Sequence, residues 1–343
     1  MKKFIRKTIL FFLPFAFLAV LYFILDPFKV LYKYDSYFNY SVNGVVFLNT
    51  NYVSTTNFDN YYEKYHYNSF IFGNSRGWFF EISDWKKHIG SEPAYHFTTG
   101  GESLYAIHKK VLYLDKKGVD LKNALLVLDH EILAQDGPKN GHLGVMAPQL
   151  EDNQNWFQFH LASLKGFFNI SFMYAYIDFI VSGRVKTYMD RNKLLDNRPF
   201  RYNYKTNQIS FAHYERLINN NNYYNEERMK VFYERENKTS YSPVSIAENQ
   251  KIMLFEIREI LKKHETNYKI ILSPIYSQEL LAEEDLAYLK LLFGDKNVFN
   301  FSGKNTFTED YQNYYESDHY RPHVAKEILE IIYRDHKLRA SHD

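Results

Sequence analysis

The chain has 343 residues, 45% hydrophobic and 24% charged, which suits a folded globular protein of one large domain or two smaller ones. A net charge of +2 leaves no basic field for nucleic acid, and the absence of cysteine excludes disulfides, thiolate catalysis and cysteine-held metal. Aromatics are abundant, with 31 Tyr and 29 Phe, and read first as core filling and second as a sugar-stacking surface.

The first element is apolar. Lys2, Lys3, Arg6 and Lys7 form a basic tail over residues 1–7, followed by an uncharged run from Thr8 to Leu25. As a helix, residues 8–25 span about 27 Å at ~1.5 Å per residue, close to a bilayer core. Pro14 does not forbid a membrane helix. No small-residue cleavage site closes the run, which ends in Tyr22-Phe23-Ile24-Leu25-Asp26-Pro27. An uncleaved, single-pass signal anchor is expected, with the tail in the cytoplasm and the remainder outside the cytoplasmic membrane.

Residues 27–65 are rich in Tyr, Asn and Ser and read as a linker, with a hairpin near Val45–Leu48. From residue 66 the pattern sharpens. Phe70–Phe72 is a short buried strand, and Trp78, Phe79, Ile82 and Trp85 follow at helical spacing. Ala94–Thr98 is a second strand closed by Gly100-Gly101. Ser103 to Lys117 is a helix with Leu104, Ile107, Val111 and Leu114 on one stripe. Ala124–Leu128 is a third strand. Apolar, non-alternating strands separated by helices imply a parallel sheet covered on both faces.

Residues 135–243 interrupt this rhythm as a large, mostly helical insertion. Within it, Trp156 to Val181 is aromatic and apolar, a helical cap over the domain or an element resting on the membrane, the former favoured. His160, Lys165 and Asp178 argue against a second span. The rhythm resumes at Ser245, which with Glu248 matches a capping box ahead of a helix to Lys263. A strand at Lys269–Leu272, a helix at 278–293 and a strand at Val298–Phe301 follow. Pro322 suits the first turn of a last helix carrying Val324, Ile328, Leu329 and Ile332. Residues 66–338 thus read as a three-layer α/β domain, flavodoxin-like in style.

In an open parallel sheet, ligands collect at the carboxyl ends of strands. Four features fall there: Ser75, Gly100-Gly101, Asp129-His130 and Glu316–His319. A serine hydroxyl is a poor nucleophile until a histidine takes its proton, and the histidine needs an acid to orient it. The Ser75 and Gly101 amides are candidate oxyanion donors. Each residue also has a plainer reading. Ser75 would cap the following helix. Asp129 would hold substrate or make a structural hydrogen bond, the latter favoured. Arg76 would hold an anionic or sugar group or pair with a surface acid. His319 and His323 are four apart, but Pro322 between them disfavours a metal site.

Gly73-Asn74-Ser75-Arg76 resembles the first block of the SGNH (GDSL-like) hydrolases, whose serine is the nucleophile. Gly101 falls where the second block's oxyanion glycine lies, and Glu316-x-x-His319 is similar to the family's final Asp-x-x-His. The anchor makes the layout similar to the exported branch, typified by the D-alanyl transfer protein of teichoic acid modification and by alginate O-acetylation proteins. The resemblance implies O-acyl, foremost O-acetyl, transfer to or from an extracytoplasmic glycan, without cofactor or metal, beside a membrane-bound O-acyltransferase. It also implies Ser75 as nucleophile, His319 as base and an acid at Glu316 or Asp318. The family's Asp is Glu here, and its third-block Gly-x-Asn-Asp is replaced by Leu128-Asp129-His130-Glu131. A stand-alone esterase and a non-catalytic envelope-assembly or glycan-binding protein are the alternatives.

Overall fold

The computed structural model describes residues 1–38, 44–191, 194–236 and 238–334. Helix α1 (Lys2–Leu25) is long and apolar enough to cross a membrane and is exposed along most of its length. It ends at Asp26, in the left-handed region, whose carboxylate accepts from the N–H groups of Val30 and Leu31 at 2.9 Å each. That carboxylate collects the unsatisfied donors of the following turn and fixes the direction in which the chain leaves the helix.

The stretch taken as a linker contains a 16-residue helix, α2 (Thr50–Tyr65). Asn49 caps it by accepting from the Tyr52 N–H. Its buried face mixes Val53 and Phe58 with Thr55 and Asn57, so apolar periodicity is weak. Asn57 instead donates to the Tyr95 hydroxyl at 3.0 Å.

Strand β1 (Ser69–Gly73) leads through a helical turn at Ser75–Phe79 into α3 (Ile82–Ile89). Then come β2 (Ala94–His96), α4 (Leu104–Lys116, capped by Ser103) and β3 (Asn123–Leu128). The chain next leaves the strand–helix alternation. It forms α5 (Trp156–Phe167), α6 (Ile170–Ser182), short helices, and a small antiparallel pair of Arg201–Asn203 with Gln208–Ser210. It returns with α7 (Glu248–Lys263), β4 (Asn267–Leu272), α8 (Glu283–Phe293) and β5 (Val298–Asn300). A hairpin of β6 (Tyr314–Glu316) and β7 (His319–Tyr320) precedes α9 (Pro322–Ile332), with Pro322 in its first turn. Among the described residues no side chain caps α7: the Ser245 hydroxyl, expected in a capping box, lies 2.8 Å from His130 Nδ1 instead.

The fold is mixed α/β around a parallel five-stranded sheet in the order β2-β1-β3-β4-β5. The period of two sends Phe70, Phe72, Leu126 and Ile270 to one face, against α4, α7 and α8. Ile71, Leu125, Val127 and Ile271 meet α3 and α9 on the other. The strand order turns back between β1 and β3, which opens a crevice at their carboxyl ends. The free edge at β2 is covered: the His96 N–H donates to the Thr206 carbonyl and the Asn207 side chain donates to the His96 carbonyl.

His96 is fully buried, and burial pushes its imidazole down to about 3, against a weaker opposing hydrogen bond to the Phe80 backbone. The unfolded chain takes up this proton near ~6.5. The contribution is therefore complete above that value and is lost as pH falls toward the folded value. Acidification to about pH 5 should remove on the order of 2 kcal/mol through this group. Unfolding followed across pH should show this slope flattened in His96→Gln; an unchanged slope would refute the assignment.

Candidate active site

Gly73 ends β1 with φ +150°, and a Cβ there would lie 2.5 Å from the Val127 carbonyl oxygen. Only glycine lets β1 press this closely on β3 before the chain turns. Asn74 then caps the turn, its Oδ1 accepting from the Arg76 N–H at 3.0 Å. The cap expected of Ser75 therefore belongs to Asn74, a residue to which the sequence reading gave no role. The signal was present, since Asn is as good an N-cap as Ser. Relieved of that task, the Ser75 hydroxyl lies 2.7 Å from His319 Nε2.

The other ring nitrogen, His319 Nδ1, meets Glu316 Oε1. The hairpin explains why Glu316 and not Asp318 holds the ring. Glu316 and His319 are directly paired across it, with Ser317 and Asp318 as the two-residue turn. Cross-strand partners present neighbouring side chains, whereas the turn residue points outward. The Asp318 side chain is 65% exposed, and this residue contributes its carbonyl instead, which accepts from Arg76 Nε at 3.0 Å. Burial pushes the Glu316 carboxyl up. The His319 ring, the Asp318 N–H and Arg198 together outweigh this and hold it below the usual carboxylate value.

Arg76 is itself buried and pairs with acids, the exposed Glu131 and Asp318 among them. It is 4% exposed, and its Nη1 donates to Asp129 Oδ2 at 2.6 Å and to Glu131 Oε2 at 3.4 Å. Burial lowers its pKa, but Asp129 and Glu131 raise it further, for a net upward shift. Asp129 takes the structural role: Oδ2 also accepts from Asn74 Nδ2 at 2.5 Å, and Oδ1 caps the next helix at the Ile132 N–H. Arg76 thereby joins three strand ends, the Ser75 turn, Asp129 after β3 and the hairpin carrying Glu316 and His319.

Gly101, exposed and at φ +63°, lies in the loop after β2, and Lys139 Nζ donates to its carbonyl. Gly100 beside it approaches the Trp78 ring of the Ser75 turn. Neither the Ser75 nor the Gly101 N–H donates to an acceptor among the described residues. Beneath this loop Glu102 and Lys110 form a fully buried ion pair, and Lys110 also donates to the Phe97 carbonyl at 2.9 Å.

Sequence reasoning also missed Glu215. Its carboxylate accepts from Arg321 Nη2 at 2.7 Å, Arg321 Nε at 3.0 Å and the Tyr315 hydroxyl at 2.7 Å, which clamps the hairpin. No local pattern marks a pairing that spans over a hundred residues. Glu215→Ala should cost about 1–3 kcal/mol. It should also slow modification of Ser75, since the hairpin loses its brace; unaltered Ser75 reactivity would show that the clamp is dispensable.

A cleft of about 520 Å³ opens on His319 and Glu316 and is walled by Phe79, Tyr214, Tyr315 and Arg228. The Arg228 guanidinium lies over the Tyr223 ring at 4.5 Å. A second cavity of about 430 Å³ adjoins it through Arg198 and Phe211 and reaches Trp78 and Gly100. His323 turns away to Asn313 Oδ1 at 2.9 Å, so it does not converge with His319 on a metal position. Compared with known proteins, the chain matches no family model and no curated sequence.

Proposed function

We propose that this chain is a membrane-anchored, SGNH-like protein that moves an O-acyl group, foremost acetyl, to or from an extracytoplasmic glycan. The observation that carries the reading is the Ser75–His319–Glu316 relay, with Ser75 Oγ 2.7 Å from His319 Nε2. His319 takes the hydroxyl proton as Ser75 Oγ attacks the acyl carbonyl. The developing oxyanion is met by the unused N–H groups of Ser75 and Gly101. Collapse breaks the bond to the donor oxygen, which leaves with the proton from His319, and the acyl group stays on Ser75 as an ester. A glycan hydroxyl then attacks that ester, giving its proton to His319, which returns it to Ser75. Glu316 holds the ring and stabilises its charged form.

The apolar length of α1 and the basic residues in its first two turns support an anchor with the catalytic domain outside the cytoplasmic membrane. A multispanning O-acyltransferase in the same membrane is the partner that would supply the acyl group. Neither cofactor nor metal enters these steps. Ser75→Ala should abolish covalent labelling by an alkyl fluorophosphonate; persistent labelling would refute the nucleophile. The completeness of the relay within one chain favours, as a second reading, a stand-alone esterase. The purified chain would then turn over aryl acetates without a partner, whereas the transferase requires the acceptor glycan.

A further inference from the structure

Helix α6 is apolar on both sides. Phe172, Ala175 and Tyr176 pack inward. Ile170, Tyr174, Ile177 and Val181 form an outward stripe, and Ile170 and Val181 are 79% and 81% exposed. The spacing i, i+4, i+7, i+11 puts all four on one face. The helix's one charged residue, Asp178, is held by Lys186 Nζ at 2.6 Å and by the Tyr188 hydroxyl at 2.8 Å. The preceding helix, α5, adds the exposed Phe157 and meets α6 at a 71° bend. Ser171, Asp178 and Ser182 line one flank between the two apolar faces, so the outer stripe is a second apolar face that needs a cover of its own, protein or lipid.

The surroundings say which medium covers the outer stripe. Tyr22, in the last turn of α1, lies 5.3 Å from the Phe167 ring at the end of α5. Phe28, just beyond α1, lies 4.7 Å from Phe172 in the first turn of α6. The bent pair is thus packed on the point where the apolar span ends. Lys165 and Arg184, both exposed, flank the stripe, as suits the headgroup level of a bilayer.

We propose that the outer face of α6 rests in the bilayer that α1 crosses, its apolar side chains entering about 5–10 Å into the boundary between headgroups and acyl chains. The domain is then docked on lipid at two places and held in one orientation, not tethered loosely. This rests on the reading of α1 as a membrane span.

The chain has no cysteine, so single-cysteine variants of the full protein can be labelled with bimane and placed in nanodiscs of brominated phosphatidylcholine. Val20→Cys reports the span, Ile177→Cys and Val181→Cys the stripe, and Leu291→Cys, 83% exposed on α8, serves as the control. Quenching at the two stripe positions should approach that at Val20 and exceed that at Leu291 several-fold. Quenching at Val20 with the stripe at the Leu291 level overturns the docking and leaves the span intact. No quenching at Val20 overturns the span and the docking with it. Disulfide cross-linking of Val181→Cys between copies, without quenching, assigns the face to a second copy and also overturns the proposal.

Discussion

Arg76→Ala should destabilise the domain by about 3–5 kcal/mol, because it leaves the Asp129 carboxylate buried without its cation. Asp129 is buried and, among the described residues, keeps Asn74 and the Ile132 N–H as its other partners. The same change frees the Asp318 carbonyl, so the hairpin carrying His319 loses its tie to the Ser75 turn. Stability and Ser75 reactivity should therefore fall together. Arg76→Lys should recover part of the stability and little of the reactivity, since one ammonium cannot span Asp129 and the Asp318 carbonyl as the fork does. Denaturant unfolding of the detergent-purified chain measures the first effect, and fluorophosphonate labelling the second. A loss below about 1 kcal/mol in Arg76→Ala would mean the pair is solvated like a surface ion pair.

Glu316→Gln should slow acylation of Ser75 by about 10³–10⁴-fold while leaving the fold intact, because an amide at this position no longer selects the ring tautomer that accepts the serine proton. Asp318→Ala should change the rate little, because its exposed carboxylate lies 4.0 Å from Arg76 Nη2 as a solvated ion pair, and its backbone carbonyl and N–H, which serve the site, stay in place. The comparison is decisive, since the two acids are two residues apart and either satisfies the spacing seen in sequence. A larger loss in Asp318→Ala than in Glu316→Gln would reverse the assignment. The pH dependence has a definite sign. The folded Glu316 carboxyl lies below its ordinary value, so its stabilising pairing is present above about 4.3 and is lost as pH falls through the folded value. Glu316 thus remains ionised across the neutral range.

Much of this architecture was written in local patterns. The apolar runs at Phe70–Phe72, Ala124–Leu128, Lys269–Leu272 and Val298–Phe301 fall on β1, β3, β4 and β5, because strands buried on both faces need no alternation. Ser103 and Pro322 mark helix starts for reasons confined to one turn. What stayed illegible depends on partners far away in sequence. Helix α2 hides because half its buried face is polar: Ser54 and Thr55 donate to the Asn51 carbonyl of the same helix, and Asn57 donates to the Tyr95 hydroxyl. Ser245 matched a capping box, but its hydroxyl found His130. Lys110 sits on the apolar stripe of α4, and nothing nearby in sequence shows that Glu102 receives it underground. The Glu316-x-x-His319 spacing was visible, while the choice between Glu316 and Asp318 required the hairpin register.

The central claim is that Ser75, driven by His319, carries the acyl group. The most direct test is to mix the purified chain with p-nitrophenyl acetate, quench in acid and map the modified residue by peptide mass spectrometry. One acetyl group should appear on Ser75 in the unaltered chain and none there in His319→Ala. Acetylation elsewhere, or undiminished acetylation of Ser75 without His319, would contradict the account.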